Sequence, residues 1–215
     1  MKIFLDTANM EEIRKYNKMG LLDGITTNPT LLSREIGENP HTVMKDIAKL
    51  VGGDVSLEVI SLKSEDMVKE GKTLRQYGQN VVVKCPMTGE GLRACAELTA
   101  QGIPVNITLI FSANQALLAA KAGARYVSPF IGRLDDIGQN GMQIIRDIRL
   151  IFSNYKMTTQ ILVASVRHPI HVLEAAKAGA DVVTLPPAVL GKMLKHPLTD
   201  LGIEMFLADW KKTQN

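Results

Sequence analysis

The sequence predicts an α/β chain folded as a single (β/α)8 TIM barrel with an extra C-terminal helix. Three observations point there. Short apolar runs alternate eight times with helix-like segments, at a repeat of about 25–30 residues that suits βα units. The runs are continuously apolar, as parallel strands covered by helices are. Polar residues recur with period two near the C-terminal ends of these runs, where such barrels assemble their sites. The 215 residues suffice for one domain with a full core. That domain is taken as 1–215, with 197–213 as a terminal helix.

In chain order, Lys2–Thr7 is the first strand. Asn9 caps a helix over Met10–Met19, with Glu11 and Glu12 at its positive end and Gly20 beyond it. Gly24–Asn28 is the second strand, stopped by Pro29, and a polar link leads to a helix over His41–Val51. Val55–Val59 follows, then a helix with Ser64 as its N-cap that ends near Tyr77-Gly78. The fourth strand is Val81-Val82-Val83-Lys84-Cys85-Pro86, and a helix over Gly91–Ala100 ends at Gly102. Val105–Leu109 precedes a helix capped by Ser112 that runs to Ala122-Gly123. Arg125–Phe130 is the sixth strand, followed by a helix over Met142–Phe152. Gln160–Ser165 is the seventh, and Pro169 suits the first turn of a helix ending at Ala178-Gly179. Val182–Leu185, stopped by Pro186-Pro187, is the eighth, with a short helix over Ala188–Leu194.

An internal repeat supports this regularity. Ala119-Ala120-Lys121-Ala122-Gly123-Ala124 and Ala175-Ala176-Lys177-Ala178-Gly179-Ala180 both lead into strands. Duplication explains it, and so does the preference for small residues where a helix packs on a sheet. Leu198, Leu201, Met205 and Phe206 fall at helical spacing, with Trp210 beyond. An eight-unit barrel does not require this helix, which either covers the barrel wall or reaches another subunit.

Composition excludes several classes. A net charge of +3 and 5% aromatic residues, with no basic block between aromatics, speak against nucleic acid. No apolar run can span a bilayer, and Met1–Asp6 does not resemble a signal peptide. The expected location is the cytoplasm. Cys85 and Cys95 fit neither a metal motif nor a secreted disulfide framework. His168 and His171 are read as a solvated helix face, Asp135-Asp136 as a loop acid pair. No metal is expected, and the glycines form no nucleotide-binding loop, so no cofactor is expected either.

Seven strands direct residues, all but Phe130 polar, to one mouth: Asp6; Thr26 and Asn28; Ser56 and Glu58; Lys84; Asn106 and Thr108; Ser128 and Phe130; Ser165 and Arg167. Lys84 stands out, because an ammonium ending a triple-valine run is costly to bury unless it is paired or neutral. One reading is a salt-bridged structural lysine. The other is a nucleophilic amine that forms a Schiff base with a carbonyl. Asp6 and Glu58 supply either proton transfer or an ion-pair partner for Lys84. Arg133, Ser165 and Arg167 suit a phosphate at the late strands, although Arg133 alone reads as a surface residue.

Phe4-Leu5-Asp6-Thr7-Ala8, Gly24-Ile25-Thr26-Thr27-Asn28-Pro29, Val82-Val83-Lys84-Cys85-Pro86, Val105-Asn106-Ile107-Thr108 and Ala164-Ser165-Val166-Arg167 resemble transaldolase motifs, in order along the whole chain. The length resembles the compact microbial subfamily, which also contains fructose-6-phosphate aldolases. The resemblance implies metal-free aldol chemistry in the non-oxidative pentose phosphate pathway. It implies Lys84 as the Schiff-base lysine and Asp6 as the acid/base at the C4 hydroxyl. Glu58 and Thr108 would hold a proton-carrying water. Asn28, Asn106 and Ser128 would orient the dihydroxyacetone unit, beside Thr26 and Phe130. Arg133, Ser165 and Arg167 would bind phosphate. A homo-pentamer or homo-decamer is implied, with the last helix at subunit contacts. The related aldolases carry glutamine at the position of Glu58 and tyrosine at that of Phe130, so both positions match the transaldolase side. The expected reaction moves dihydroxyacetone from sedoheptulose 7-phosphate or fructose 6-phosphate to glyceraldehyde 3-phosphate or erythrose 4-phosphate. The alternatives are a fructose-6-phosphate aldolase, and a sugar-phosphate isomerase or binding barrel that forms no covalent bond.

Overall fold

The β-branched and aliphatic runs become eight parallel strands: β1 (Lys2–Asp6), β2 (Gly24–Thr26), β3 (Asp54–Glu58), β4 (Val81–Pro86), β5 (Val105–Ile110), β6 (Tyr126–Pro129), β7 (Gln160–Val163) and β8 (Val182–Leu185). Each pairs with its sequence neighbours, and β8 pairs with β1 to close the barrel. The computed structural model describes all residues except Ile36, Glu38 and Asn215. Among the described residues the helices are α1 (Met10–Lys18), α2 (Pro29–Leu32), α3 (Pro40–Leu50), α4 (Ser64–Arg75), α5 (Gly89–Ala100), α6 (Ala113–Lys121), α7 (Ile131–Asp136), α8 (Gly141–Asn154), α9 (Pro169–Lys177), α10 (Pro187–Met193) and α11 (Pro197–Lys212). None of these helices is long and apolar enough to cross a membrane.

Alternation along the strands divides the core in two. Leu5, Ile25, Leu57, Val83, Ile107, Val127, Val163 and Val183 share one apolar cluster with helix residues such as Ile13, Ile47, Met67, Leu98 and Ile148. Phe4, Val82, Tyr126, Leu162, Ala164 and Val182, one residue out of phase, form a second cluster inside the barrel. A one-residue step along a strand reverses the face, so the two clusters cannot mix. At the N-terminal end the Tyr126 hydroxyl donates to Asp54 at 2.6 Å, Arg125 pairs with Asp54 at 2.9 Å, and Phe4 meets Tyr126 edge-on. These contacts close the barrel floor and leave the opposite end to form a site.

The repeated Ala-Gly-Ala segments encode one helix-to-strand turn. Gly123 (φ 88°) and Gly179 (φ 75°) occupy the left-handed region, which glycine tolerates best. Each turn closes with the same two bonds, Gly123 N–H to Ala120 and Ala124 N–H to Ala119, and Gly179 N–H to Ala176 and Ala180 N–H to Ala175.

Several boundaries differ from expectation, each for a local reason. β2 ends at Thr26, and Asn28 instead caps the unforeseen α2 by accepting from Leu31 N–H at 2.9 Å. Ser64 is not an N-cap but the first residue of α4; the cap position is Lys63, which makes no side-chain cap bond. The Ser64 N–H is satisfied from a distance, by the Glu90 carboxylate at 2.8 Å. The same helix stops at Arg75, before Tyr77-Gly78. α5 begins at Gly89 because Thr88 accepts from Gly91 N–H at 3.0 Å. β7 ends at Val163, since Ser165 turns into a positive φ of 60°. The six-residue α7 takes in Asp135 and Asp136, the expected loop acid pair. His171 lies on α9 but is buried and faces Asp135 at 2.9 Å rather than solvent. α11 does not cover the barrel wall, as none of its residues is buried. Cys85 and Cys95 are free and buried.

Candidate active site

Lys84 sits near the C-terminal end of β4 with its side chain facing the barrel interior. The residue is only 5% exposed. Its Nζ lies 2.9 Å from Glu58 Oε2 and donates to the Thr27 carbonyl at 3.1 Å. Register dictates the first contact, because Glu58 and Lys84 are direct partners across β3 and β4. Neither partner can be removed alone without leaving a charge in the wall, a change that costs about 3–5 kcal/mol for a buried pair.

A cavity of about 600 Å³ opens at this end of the barrel. Every candidate residue named from the sequence lines it except Ser56 and Asn106. Asn106 is fully buried beside it; its amide donates to Ser56 at 3.1 Å and accepts from Ser128 at 2.7 Å. It therefore orients Ser128, which does reach the cavity. Asp6 closes another side. Its Oδ1 accepts from Thr26 Oγ1 at 2.7 Å, and Thr26 lies 2.6 Å from Thr184. Thr26 has one proton and gives it to Asp6, so Thr184 donates to Thr26. Burial holds the Asp6 carboxyl above the usual carboxylate range, against the lowering pull of Lys84, the Thr26 hydrogen bond and Arg34. Thr108 Oγ1 is buried without a hydrogen-bond partner among the described residues. It lines the cavity with Lys84 and Glu58, where a polar ligand or water can satisfy it. Just beyond it β5 shifts register, and Leu109 takes a φ of 59°.

Cations gather at the rim. Arg133, on α7, stacks over the Phe130 ring at 5.0 Å, and Phe130 in turn packs edge-on against Phe111. Arg167 follows β7 and pairs with Asp136 at 2.8 Å. Both guanidiniums are exposed, and both line the cavity with Ser165. Gly132 permits this closeness. A Cβ there would meet the Ser165 carbonyl at 2.1 Å and Arg167 Nε at 2.8 Å.

The family described as Transaldolase/Fructose-6-phosphate aldolase matches residues 3–215. The chain belongs to this transaldolase/fructose-6-phosphate aldolase family. A probable transaldolase from Nitrosopumilus maritimus is 68% identical over 215 residues, covering 100% of this chain and 96% of the relative. One from Aquifex aeolicus is 59% identical over 212 residues, covering 99% and 97%. One from Methanococcus maripaludis is 58% identical over 215 residues, covering 100% of both. Membership makes the chain an enzyme of the transaldolase and fructose-6-phosphate aldolase type.

Arg34 and Thr184 also line the cavity, and reading the sequence missed both. Thr184 carried a signal, since it sits on β8 in phase with the other inward polar residues. Arg34 carried none, because it lies in a loop after α2 that only the fold brings to the mouth.

The raised pKa of Asp6 has a stability consequence. The folded state binds that proton more tightly than the unfolded chain, so the contribution is full below about 3.8 and lost as pH rises through the folded value. Above the ordinary carboxylate range, keeping this carboxyl buried is therefore a net cost. Asp6→Asn should raise the melting temperature at pH 7, and the gain should shrink as the pH is lowered towards 4, as calorimetry across that range would show.

Proposed function

We propose that this protein is a transaldolase acting through a Schiff base on Lys84, in the cytoplasm and in the non-oxidative pentose phosphate pathway. The observation that carries the proposal is the enclosed Lys84 amine, facing a cavity that Asp6 and Glu58 also line. In this reading, Lys84 attacks the C2 carbonyl of a ketose phosphate such as sedoheptulose 7-phosphate or fructose 6-phosphate. Loss of water leaves the imine, with Glu58 and the unpartnered Thr108 hydroxyl holding the water that shuttles protons. Asp6 takes the C4 hydroxyl proton, the C3–C4 bond breaks, and an aldose phosphate departs. The enamine left on Lys84 then attacks the aldehyde of an acceptor, glyceraldehyde 3-phosphate or erythrose 4-phosphate, with Asp6 returning the proton. Asn28, whose Oδ1 is engaged in capping α2, can offer its amide N–H to a substrate hydroxyl. Ser128, oriented by Asn106, can do the same, while Ser165, Arg133 and Arg167 hold the phosphate.

The ion pair between Lys84 and Glu58 also suits a sugar-phosphate isomerase without covalent chemistry, in which the amine is purely electrostatic. Borohydride reduction with fructose 6-phosphate separates the two. A three-carbon adduct on Lys84 by mass spectrometry, with sedoheptulose 7-phosphate formed when erythrose 4-phosphate is supplied, is expected. Unmodified protein at saturating substrate excludes the covalent route, and free dihydroxyacetone without sedoheptulose 7-phosphate assigns an aldolase.

Phe130 supports transfer over release. A phenyl ring stacked under Arg133 offers no hydroxyl to bring a proton to the enamine, so the intermediate persists for an acceptor. Phe130→Tyr should increase dihydroxyacetone release relative to transfer, measured with and without erythrose 4-phosphate. An unchanged ratio removes Phe130 from this role.

The proposed homo-pentamer or homo-decamer draws support from α11. Its Phe206 is 77% exposed and its Trp210 63% exposed, an apolar surface that a partner subunit would cover. Phe206→Asp in the full chain should give a smaller species in light scattering than the parent chain. Equal masses would place the subunit contacts elsewhere.

A further inference from the structure

His171 lies outside the cavity, yet it joins the two segments that bear the rim arginines. It sits on α9 and is 6% exposed. The Arg167 backbone N–H donates to its Nδ1 at 3.2 Å. Nδ1 is thus an acceptor, which places the ring proton on Nε2, and Nε2 meets Asp135 Oδ2 at 2.9 Å. Asp135 belongs to α7, the helix of Arg133, and its other oxygen accepts from Gly141 N–H at 2.8 Å. The loop is also tied to α7 by the Gly132 N–H, which donates to the Ser165 carbonyl at 3.0 Å. A chain of bonds therefore runs from Arg167 through His171 to Asp135, one helical turn or less from Arg133.

We propose that His171 is a positioning residue for the anion pocket: with Nδ1 as an acceptor it clasps the Ser165–Arg167 loop to α7 and sets the spacing of the two guanidiniums for the phosphate end of the substrate. The inference rests on the phosphate role given above to Arg133, Ser165 and Arg167. Protonation of the ring removes the acceptor. Two N–H groups then face each other at Arg167, and the clasp opens.

The groups around the ring set the pH at which this happens. Burial pushes its pKa below the ordinary 6.5, and the neighbouring His168 and Arg167 act in the same direction. Asp135 opposes them. His168 stacks on the ring at 3.8 Å, while Asp136 is occupied by Arg167 and Glu174 of α9 by Arg146 and Lys177. A lowered value means that the fold favours the neutral ring. The clasp is intact above 6.5 and is lost as pH falls through the folded value.

The test compares His171→Asn, whose amide oxygen can replace Nδ1, with His171→Gln, whose longer amide reaches Asp135 but leaves the Arg167 N–H without its acceptor. At pH 7.5, His171→Gln should raise the KM for fructose 6-phosphate about tenfold, the order expected for a lost acceptor. Its kcat, and its turnover of unphosphorylated fructose, should match the parent protein. His171→Asn should retain the parent KM. The dissociation constant of inorganic phosphate, by titration calorimetry, should rise more steeply below pH 6.5 for the parent than for His171→Asn. Phosphate's own second ionisation affects both proteins equally and cancels in that comparison. A His171→Gln variant with the parent KM, or two proteins whose phosphate affinities fall in parallel with pH, overturns the proposal. Should the Gln variant fail to fold, the parent and Asn comparison still decides. Failure of the Schiff-base reading registers separately, as no borohydride adduct on Lys84 in the parent protein.

Discussion

A buried ammonium at the end of a parallel strand cannot be satisfied by its own strand. The backbone groups of β4 are committed to their neighbours, and the Lys84 side chain faces inward where water is scarce. Its partners must come from the adjacent elements. Glu58 arrives through the β3–β4 register, and the Thr27 carbonyl arrives from the end of β2. The site thus depends on the alignment of three strands, and a slip of one residue would turn Lys84 or Glu58 towards the helices. The closed barrel guards against that slip, because every strand is registered on both sides.

The two inward carboxylates sit in different surroundings. Glu58 faces the amine directly. Asp6 is held by a hydroxyl relay from Thr184 and Thr26, and burial makes its charged form less favourable. A pair of acids in unlike environments is what a reaction with separate proton transfers requires. The polar interior has a packing consequence as well. Tyr126, Phe4 and Val82 fill the lower barrel, and Asn106, Ser56 and Ser128 form a hydrogen-bonded layer above them. That layer supports the cavity rather than lining it throughout.

Much of this was legible from residues alone. The eight strands followed from runs such as Val81–Val83, because continuous apolar character marks a buried parallel strand. The inward face followed from period two, which also brought Asp6, Glu58, Lys84 and Thr108 to one mouth. The failures share a cause. Ser64 resembled an N-cap because the carboxylate that satisfies its N–H belongs to Glu90, 26 residues away. His171 resembled a solvated residue because Asp135, its partner, lies on a helix too short to leave a periodic signal. Asn106 fell in phase with the cavity residues, and only the contacts of Ser56 and Ser128 show that its amide braces the wall.

The sequence by itself determined the strand and helix order, the two faces of each strand, the turn geometry at Gly123 and Gly179, and the set of residues able to meet at the C-terminal mouth. These depend on local sterics and on a periodicity of two or 3.6, which a linear chain carries in full. The tertiary structure decided which of those residues touch. It set the pairing of Lys84 with Glu58, the burial that perturbs Asp6, the entry of Arg34 and the clasp from Arg167 through His171 to Asp135. Those contacts join residues distant in sequence, and their distances and dielectric surroundings exist only once the barrel has closed.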